Sequence, residues 1–233
     1  MSQPPRKILL ICLRRLGDVL LTTALIRSLR AAWPLARIDV LVPPTAAPVL
    51  EGNADIDAVL TLSEGARFGE SLRLALRIFR RYDLAISTLQ SDRAHGFAFL
   101  AAPWRAGVVP PVNESGARWK RWSCRHWIEQ RLHSTHTAIQ YLRLADALGI
   151  ARVPVLVPPR APNDESLRGL LGAGWAQQKF AVLHPAPMYR YKSWTQTGWR
   201  ELIQWLAARQ VRVVLSGGPA PAEREYVDAI ARD

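Results

Sequence analysis

The chain has 233 residues, 49% of them apolar, a net charge of +12 and two cysteines. That length allows one large or two small domains with ample core, and the apolar share is that of an ordinary globular protein. Cys12 and Cys124 form no CxxC pair, which argues against a disulfide framework and points to a reducing cytoplasm. The positive field draws anionic partners without choosing between nucleic acid, anionic lipid and a phosphorylated glycan. Part of it is arginine on solvated helix faces, as at Arg73, Arg77, Arg80 and Arg81. The first apolar run stops at two arginines, too soon for a signal peptide, and no run approaches the length of a membrane span, so a soluble chain is expected.

In chain order, the apolar run at residues 8–13 reads as a strand. It breaks at Arg14-Arg15-Leu16-Gly17-Asp18, and helical spacing begins with Val19, Leu20, Leu21, Ala24, Leu25 and Leu29. A second strand follows at 38–42 and a third at 57–62. Residues 72–79 have helical spacing, with Leu72, Leu76 and Phe79 on one side. Residues 82–88 read as a strand, the segment after Ser91 as a helix, and 105–109 as a short strand. Residues 136–150 form an amphipathic helix with Ile139, Leu142, Ala145 and Leu148 inward and Gly149 as its stop. This alternation predicts an α/β fold with a Rossmann-like parallel sheet over residues 1–150.

Prolines 154, 158, 159 and 162 mark residues 151–165 as a stiff linker. A second α/β unit is expected over 166–233: a strand at 180–184, a helix at 197–209 with Trp199, Leu202, Ile203 and Leu206 inward, a strand at 211–215, and a last helix from about Ala222. Two strands and two helices bury little, so this half should be marginal unless it packs on the first.

Sites in open α/β sheets lie beyond the carboxyl ends of the strands, which makes the loop after the first strand a place for chemistry. Gly17 there lets the backbone turn tightly. Asp18 has two compatible readings: a helix N-cap, and a carboxylate placed to take a proton from a substrate hydroxyl. Thr22 and Thr23, one turn on, could position substrate hydroxyls or be plain helix surface. In the loop 184–194, Lys192 suits a phosphate as a point charge on a flexible stem. The pair Gly217-Gly218 follows a strand and would let a nucleotide approach the backbone. Arg118-Trp-Lys-Arg-Trp-Ser-Cys-Arg-His-Trp127 interleaves basic and aromatic residues, as a single-stranded nucleic-acid platform or a membrane interface would, or as a solvated basic loop with buried tryptophans. Cys124, His126, His133 and His136 match no standard zinc spacing, and His136 suits the cap or wall of the helix it opens.

Two segments carry a family resemblance. Lys7-Ile-Leu-Leu-Ile-Cys-Leu-Arg-Arg-Leu-Gly-Asp-Val-Leu-Leu-Thr-Thr-Ala-Leu-Ile-Arg-Ser-Leu-Arg30 resembles the start of the family 9 glycosyltransferases, the lipopolysaccharide heptosyltransferases. Val182-Leu-His-Pro-Ala-Pro-Met-Tyr-Arg-Tyr-Lys-Ser-Trp194 resembles the donor-phosphate loop of that family, in a version most like the heptosyltransferase III branch. The resemblance implies a GT-B type fold: an N-terminal acceptor-binding Rossmann-like domain and a second, nucleotide-sugar-binding one. It implies inverting transfer of heptose from ADP-L-glycero-D-manno-heptose to the inner core of lipopolysaccharide, with no metal and no cofactor. Asp18 would be the general base. Lys192, Arg190, Gly217, Gly218 and Glu223 (or Glu225) would bind the donor. Gly17, Thr22, Arg118, Lys120 and Arg121 would bind the acceptor.

Family members often carry small hydroxyl residues where this chain has Ala186 and Pro187, and Arg190 would compensate. They also continue with further strands and an Asp-x-Gly-x-x-His segment that this sequence lacks, so the second domain is expected to be incomplete. The implied partners are the ADP-heptose donor, the lipid A–core glycolipid and the cytoplasmic face of the inner membrane, with no nucleic acid. The alternatives are a fragment that binds acceptor glycolipid without turnover, and a basic nucleic-acid-binding protein. The latter lacks a helix-turn-helix, zinc-finger or RNP signature. A nicotinamide dehydrogenase is disfavoured, because no GxGxxG follows the first strand.

Overall fold

The computed structural model describes residues 3–130, 135–160, 165–187, 190–218 and 220–232. The chain divides into two compact units, Met1–Arg160 and Ala161–Asp233.

The first unit holds β1 (Lys7–Ile11), α1 (Leu16–Ala32), β2 (Arg37–Val42), β3 (Ala58–Thr61), α2 (Phe68–Ile78), β4 (Leu84–Ser87), α3 (Asp92–Ala101), β5 (Trp104–Val109), α4 (Ala117–Ser123), β6 (His126–Glu129) and α5 (Thr137–Ala147). Its six strands are all parallel, in the order β3-β2-β1-β4-β5-β6. That is the doubly wound order, with the chain reversing direction between β1 and β4. The central strands are continuous apolar runs because both their faces are covered. Ile8 and Leu10 of β1 pack with α1 (Leu25, Ile26, Leu29) and α5 (Leu144, Ala145) on one side. Leu9 and Ile11 pack with α2 (Leu74, Ile78) and α3 (Phe97, Ala98) on the other. Each leucine or isoleucine fully buried in these layers contributes about 1.5–3 kcal/mol relative to exposure.

The structure departs from the expected pattern in four places. In α2 the side turned to the sheet is Leu74 and Ile78, while Leu72, Leu76 and Phe79 are exposed. In α5, Ile139 is exposed and Tyr141, Leu142, Leu144 and Ala145 are buried. Helix α4 and strand β6 arise from the basic–aromatic segment, which carries no clear periodicity. Of the three tryptophans there, which one of the open readings would bury, Trp122 is 78% exposed, and Trp119 and Trp127 are exposed as well.

The proline-rich segment runs along the first unit. Val153 N–H donates to Ser28 Oγ at 2.9 Å, Val157 N–H to Thr23 Oγ1 at 3.0 Å, and Arg160 N–H to the Glu51 carbonyl at 3.0 Å.

The second unit holds α6 (Glu165–Leu171), β7 (Phe180–Leu183), α7 (Gln196–Ala207), β8 (Arg212–Leu215) and α8 (Pro221–Ala231), with β7 and β8 parallel. Trp199, Leu202, Ile203 and Leu206 form the more buried side of α7, as their spacing predicts. Leu171, Ala186 and Ile230 are its buried apolar residues among those described. No described helix is long and apolar enough to cross a membrane.

Candidate active site

The reversal between β1 and β4 opens a crevice at the carboxyl ends of the strands, where doubly wound sheets bind ligands. A cavity of about 400 Å³ lies there. Leu13 and Arg14 come from the β1–α1 connection, Asp18 from the first turn of α1, Gln90 and Ser91 from beyond β4, Gln130 from beyond β6, and Thr137, Gln140 and Tyr141 from α5.

Asp18 is not the cap of α1. The helix starts at Leu16, and Arg15 is the N-cap in an extended conformation, with no capping hydrogen bond from its side chain. Asp18 therefore sits inside the first turn, where the partial positive charge of the helix end favours a carboxylate. Its side chain is 23% exposed, and the Arg14 guanidinium approaches to 3.9 Å. Gly17 is helical, without a positive φ, and a Cβ there would meet nothing within 4 Å. The turn does not require a glycine; its effect is to leave the surface beside Asp18 bare. Thr22 is fully buried and donates to the Val19 carbonyl at 2.7 Å, which leaves no surface for a sugar. Thr23 donates to Leu20 O and accepts from Val157 N–H, so it anchors the proline-rich segment.

Tyr141 lines the cavity, and the fully buried Cys12 precedes the lining residue Leu13. Burial pushes the Cys12 thiol up to about 12, and burial also raises the Tyr141 phenol, so both stay protonated near neutrality. Two of the cavity residues that the sequence did not single out have polar atoms to offer. Gln90 Oε1 and Gln130 Oε1 are buried and have no hydrogen-bond partner among the described residues. A buried amide oxygen of this kind wants a donor. Glutamines in loops carry no spacing signal, so nothing in the sequence marked them.

The basic–aromatic segment is committed largely to its own structure. Lys120 is buried, with Nζ 2.9 Å from Asp92 Oδ1; that pair, with burial opposing it, holds the Asp92 carboxyl below its ordinary range. Arg121 pairs with Glu129 at 2.8 Å and lies 4.4 Å from the Trp127 ring centroid. Arg118 is exposed on α4. Trp122 stacks on Phe99, with centroids 6.3 Å apart, and Arg105 covers that ring at 4.7 Å. The Cys/His group disperses. Cys124 faces His95, the His126 ring packs on Trp104, and His136 Nδ1 accepts from Ala138 N–H as the cap of α5. His133 lies outside the described residues, among which no three His, Cys, Asp or Glu side chains gather as a metal site would need.

In the second unit a cavity of about 740 Å³ is lined by Ala186, Pro187, Ser193, Trp194, Glu223 and Tyr226, among others. Lys192 ends a short 3-10 turn, Arg190–Lys192, just before α7; it is exposed, with Nζ 5.6 Å from the Tyr191 ring centroid. The Arg190 side chain lies outside the described residues. Thr195 Oγ1 caps α7 by accepting from Gly198 N–H at 3.0 Å. Trp194 stands edge-on to Trp199 at 5.2 Å, and Tyr226 Oη donates to the Trp194 carbonyl at 2.7 Å. Ser193, which the sequence did not flag, brings a hydroxyl to the cavity that Ala186 and Pro187 cannot supply.

Both glycines after β8 have a steric reason. A Cβ at Gly217 would stand 3.0 Å from Val227 Cγ2, and one at Gly218 would overlap the Glu223 carboxylate. Glu223 Oε2 accepts from Gly218 N–H at 2.8 Å, so it holds this loop in shape. Glu225 lies one turn into α8 and does not line the cavity.

Comparison with known proteins adds the following. The profile of glycosyltransferase family 9 (heptosyltransferase) matches residues 80–233. A lipopolysaccharide heptosyltransferase 3 of Escherichia coli strain K12 is 28% identical over 225 residues, covering 93% of this chain and 64% of that protein. A second one, also from Escherichia coli, is 25% identical over 231 residues, covering 93% and 65%. The chain thus spans a little under two thirds of the length of these relatives. A family 9 glycosyl transferase structure from Veillonella parvula DSM 2008 superposes with a TM-score of 0.79 at 19% identity, over 98% of this chain and 66% of that one. The Escherichia coli heptosyltransferase WaaC with ADP-2-deoxy-2-fluoro heptose gives 0.74 at 20% identity, over 97% and 73%. The GT-B type fold is shared with these structures.

Proposed function

This chain belongs to glycosyltransferase family 9, and we propose that it moves heptose from ADP-L-glycero-D-manno-heptose to the inner core of lipopolysaccharide, inverting the anomeric carbon. The observation that carries this reading is the place of Asp18. Its carboxylate is free of capping duty and stands in the crevice at the β1–β4 reversal. Gly17 leaves room beside it, and the two amide oxygens of Gln90 and Gln130 face a ligand rich in hydroxyl groups.

In this mechanism Asp18 takes the proton from an acceptor hydroxyl. The oxygen attacks the anomeric carbon while the bond from that carbon to ADP breaks, and the electron pair leaves on the diphosphate. Lys192 and the N-terminal end of α7 stabilise the charge that builds on the leaving oxygens. Ser193 and Arg190 assist in the same loop, and Gly217, Gly218 and Glu223 shape the nucleotide side. Arg118 and the outer surface of α4 meet the acidic acceptor, with Lys120 and Arg121 holding α4 in place. The setting is the cytoplasmic face of the inner membrane, where a lipid A–core acceptor presents its sugars to a peripheral enzyme.

A second reading, an acceptor-binding protein without turnover, is favoured by the small buried core of the second unit. Calorimetry with ADP separates the two. Binding by the wild-type chain, weakened about tenfold or more in Lys192→Ala, supports the transferase. A folded chain that binds no ADP leaves only the acceptor-binding reading.

A further inference from the structure

Helix α2 has two apolar sectors, and the sheet covers one. Leu74 and Ile78 are buried. Phe68, Leu72, Leu76 and the C-cap residue Phe79 recur at intervals of four, four and three residues, a single stripe along a helix. They are 83, 45, 68 and 55% exposed. Scattered exposed apolar residues are ordinary, but a contiguous stripe with a polar rim marks a surface that meets something.

The rim is cationic. Arg73 and Arg77 lie beside the stripe, and Arg80 and Arg81 follow it; all four are exposed. Arg77 and Arg81 also line a recess of about 290 Å³ with Lys7 and Arg37. Asp39, the one carboxylate among the described residues that line it, is taken up by Arg37 at 3.0 Å and by Tyr82 Oη at 2.8 Å.

We propose that this face of α2 docks on an anionic phospholipid surface. The stripe enters the headgroup–acyl boundary, the arginines bind headgroup phosphates, and the recess receives one of them. Charge selects this occupant over a second copy of the chain, because a two-fold contact through the same patch would set arginine against arginine. The inference deepens the proposed function, since a glycolipid acceptor lies in such a surface, but lipid binding is measured without turnover.

The test is flotation of the purified protein with vesicles of phosphatidylcholine alone and of phosphatidylcholine with phosphatidylglycerol. The wild-type chain should float only with the anionic vesicles, and less as salt is raised. Phe68→Ser/Leu76→Ser and Arg73→Glu/Arg77→Glu should each reduce binding by about tenfold or more, with unchanged circular dichroism. All four positions are exposed, so both variants should fold. Three results would overturn the proposal: no flotation of the wild-type chain, variants that float like wild type, or loss of binding in Trp122→Ser alone. A change of oligomeric state in the stripe variant without a change in flotation would assign the patch to a second copy instead. Heptose transfer to a water-soluble, delipidated acceptor, run in parallel, should be unchanged in both variants. Absence of transfer in the wild-type chain with flotation intact would count against the proposed function and leave the lipid surface standing.

Discussion

Two side chains of the first unit carry consequences beyond their immediate contacts. Gln130 presents to the cavity that contains Asp18 a buried amide oxygen without a partner among the described residues. Gln130→Leu removes that unpaired acceptor, so folding stability should hold or rise. The same change should raise KM for the acceptor through loss of about 0.5–1.5 kcal/mol of hydrogen bonding, with kcat little altered. A variant with unchanged KM places no sugar hydroxyl at this oxygen. His95 is the second case. Its Nε2–H donates to the Val108 carbonyl at 2.9 Å, and its Nδ1 faces Cys124 Sγ at 3.6 Å. Burial is the largest influence and lowers its pKa below the ordinary value; Lys120 adds to this and Asp92 opposes it. The folded state therefore binds fewer protons than the unfolded state below about pH 6.5, and stability should fall as the pH drops through that point. Above about pH 7.5 both states are neutral and the effect vanishes. Denaturant titrations across this range should show the slope, and His95→Gln should flatten it; an equal slope in both proteins assigns it to other groups.

At the scale of elements, β5 meets α3 and the residue that caps α4 at Gly107, through a contact that only glycine permits. A Cβ there would stand 2.8 Å from His95 Cε1 and 3.3 Å from Cys124 Sγ. Gly107→Ala should destabilise the first unit by about 1–3 kcal/mol, read as a lower denaturation midpoint at unchanged slope. An unchanged midpoint would mean that β5 and α3 can part freely. The central elements were legible because parallel strands buried on both faces are largely apolar runs, unbroken at residues 8–11 and interrupted by Asp39 alone at 38–42. Helix α2 was legible as a helix but not in its orientation. It has two apolar sectors, and periodicity does not say which of them meets a sheet. Strand β6 was not legible, because His126-Trp-Ile-Glu129 has one buried apolar residue and no alternation. The start of α1 was misplaced for a different reason: Asp18 is a good cap by residue type, but the helix begins at Leu16 and the cap is Arg15.

For the whole molecule, the order of strands and helices and the two distant motifs, one at each cavity, point the same way as the family match. The residues inside each cavity were only half legible. Asp18 and Glu223 line their cavities, and Lys192 stands in the turn that precedes α7. Thr22 and Lys120 are instead consumed by packing and ion pairing, since a hydroxyl or ammonium in a sequence carries no sign of whether it is buried. Gln90, Gln130 and Ser193 emerge only when the fold brings them to a cavity. The uneven core follows from the same patterning: the first unit buries both faces of a six-stranded sheet, while two strands in the second leave most of its described apolar residues at least partly exposed. The central claim is that Asp18 is the base for heptose transfer. It is tested most directly by ADP release from ADP-heptose with a lipid A–core acceptor, comparing the wild-type chain with Asp18→Asn. The account predicts turnover by the wild-type chain and a loss of about 10²–10⁴ in kcat for Asp18→Asn, with ADP affinity unchanged. Undiminished turnover in Asp18→Asn would contradict it.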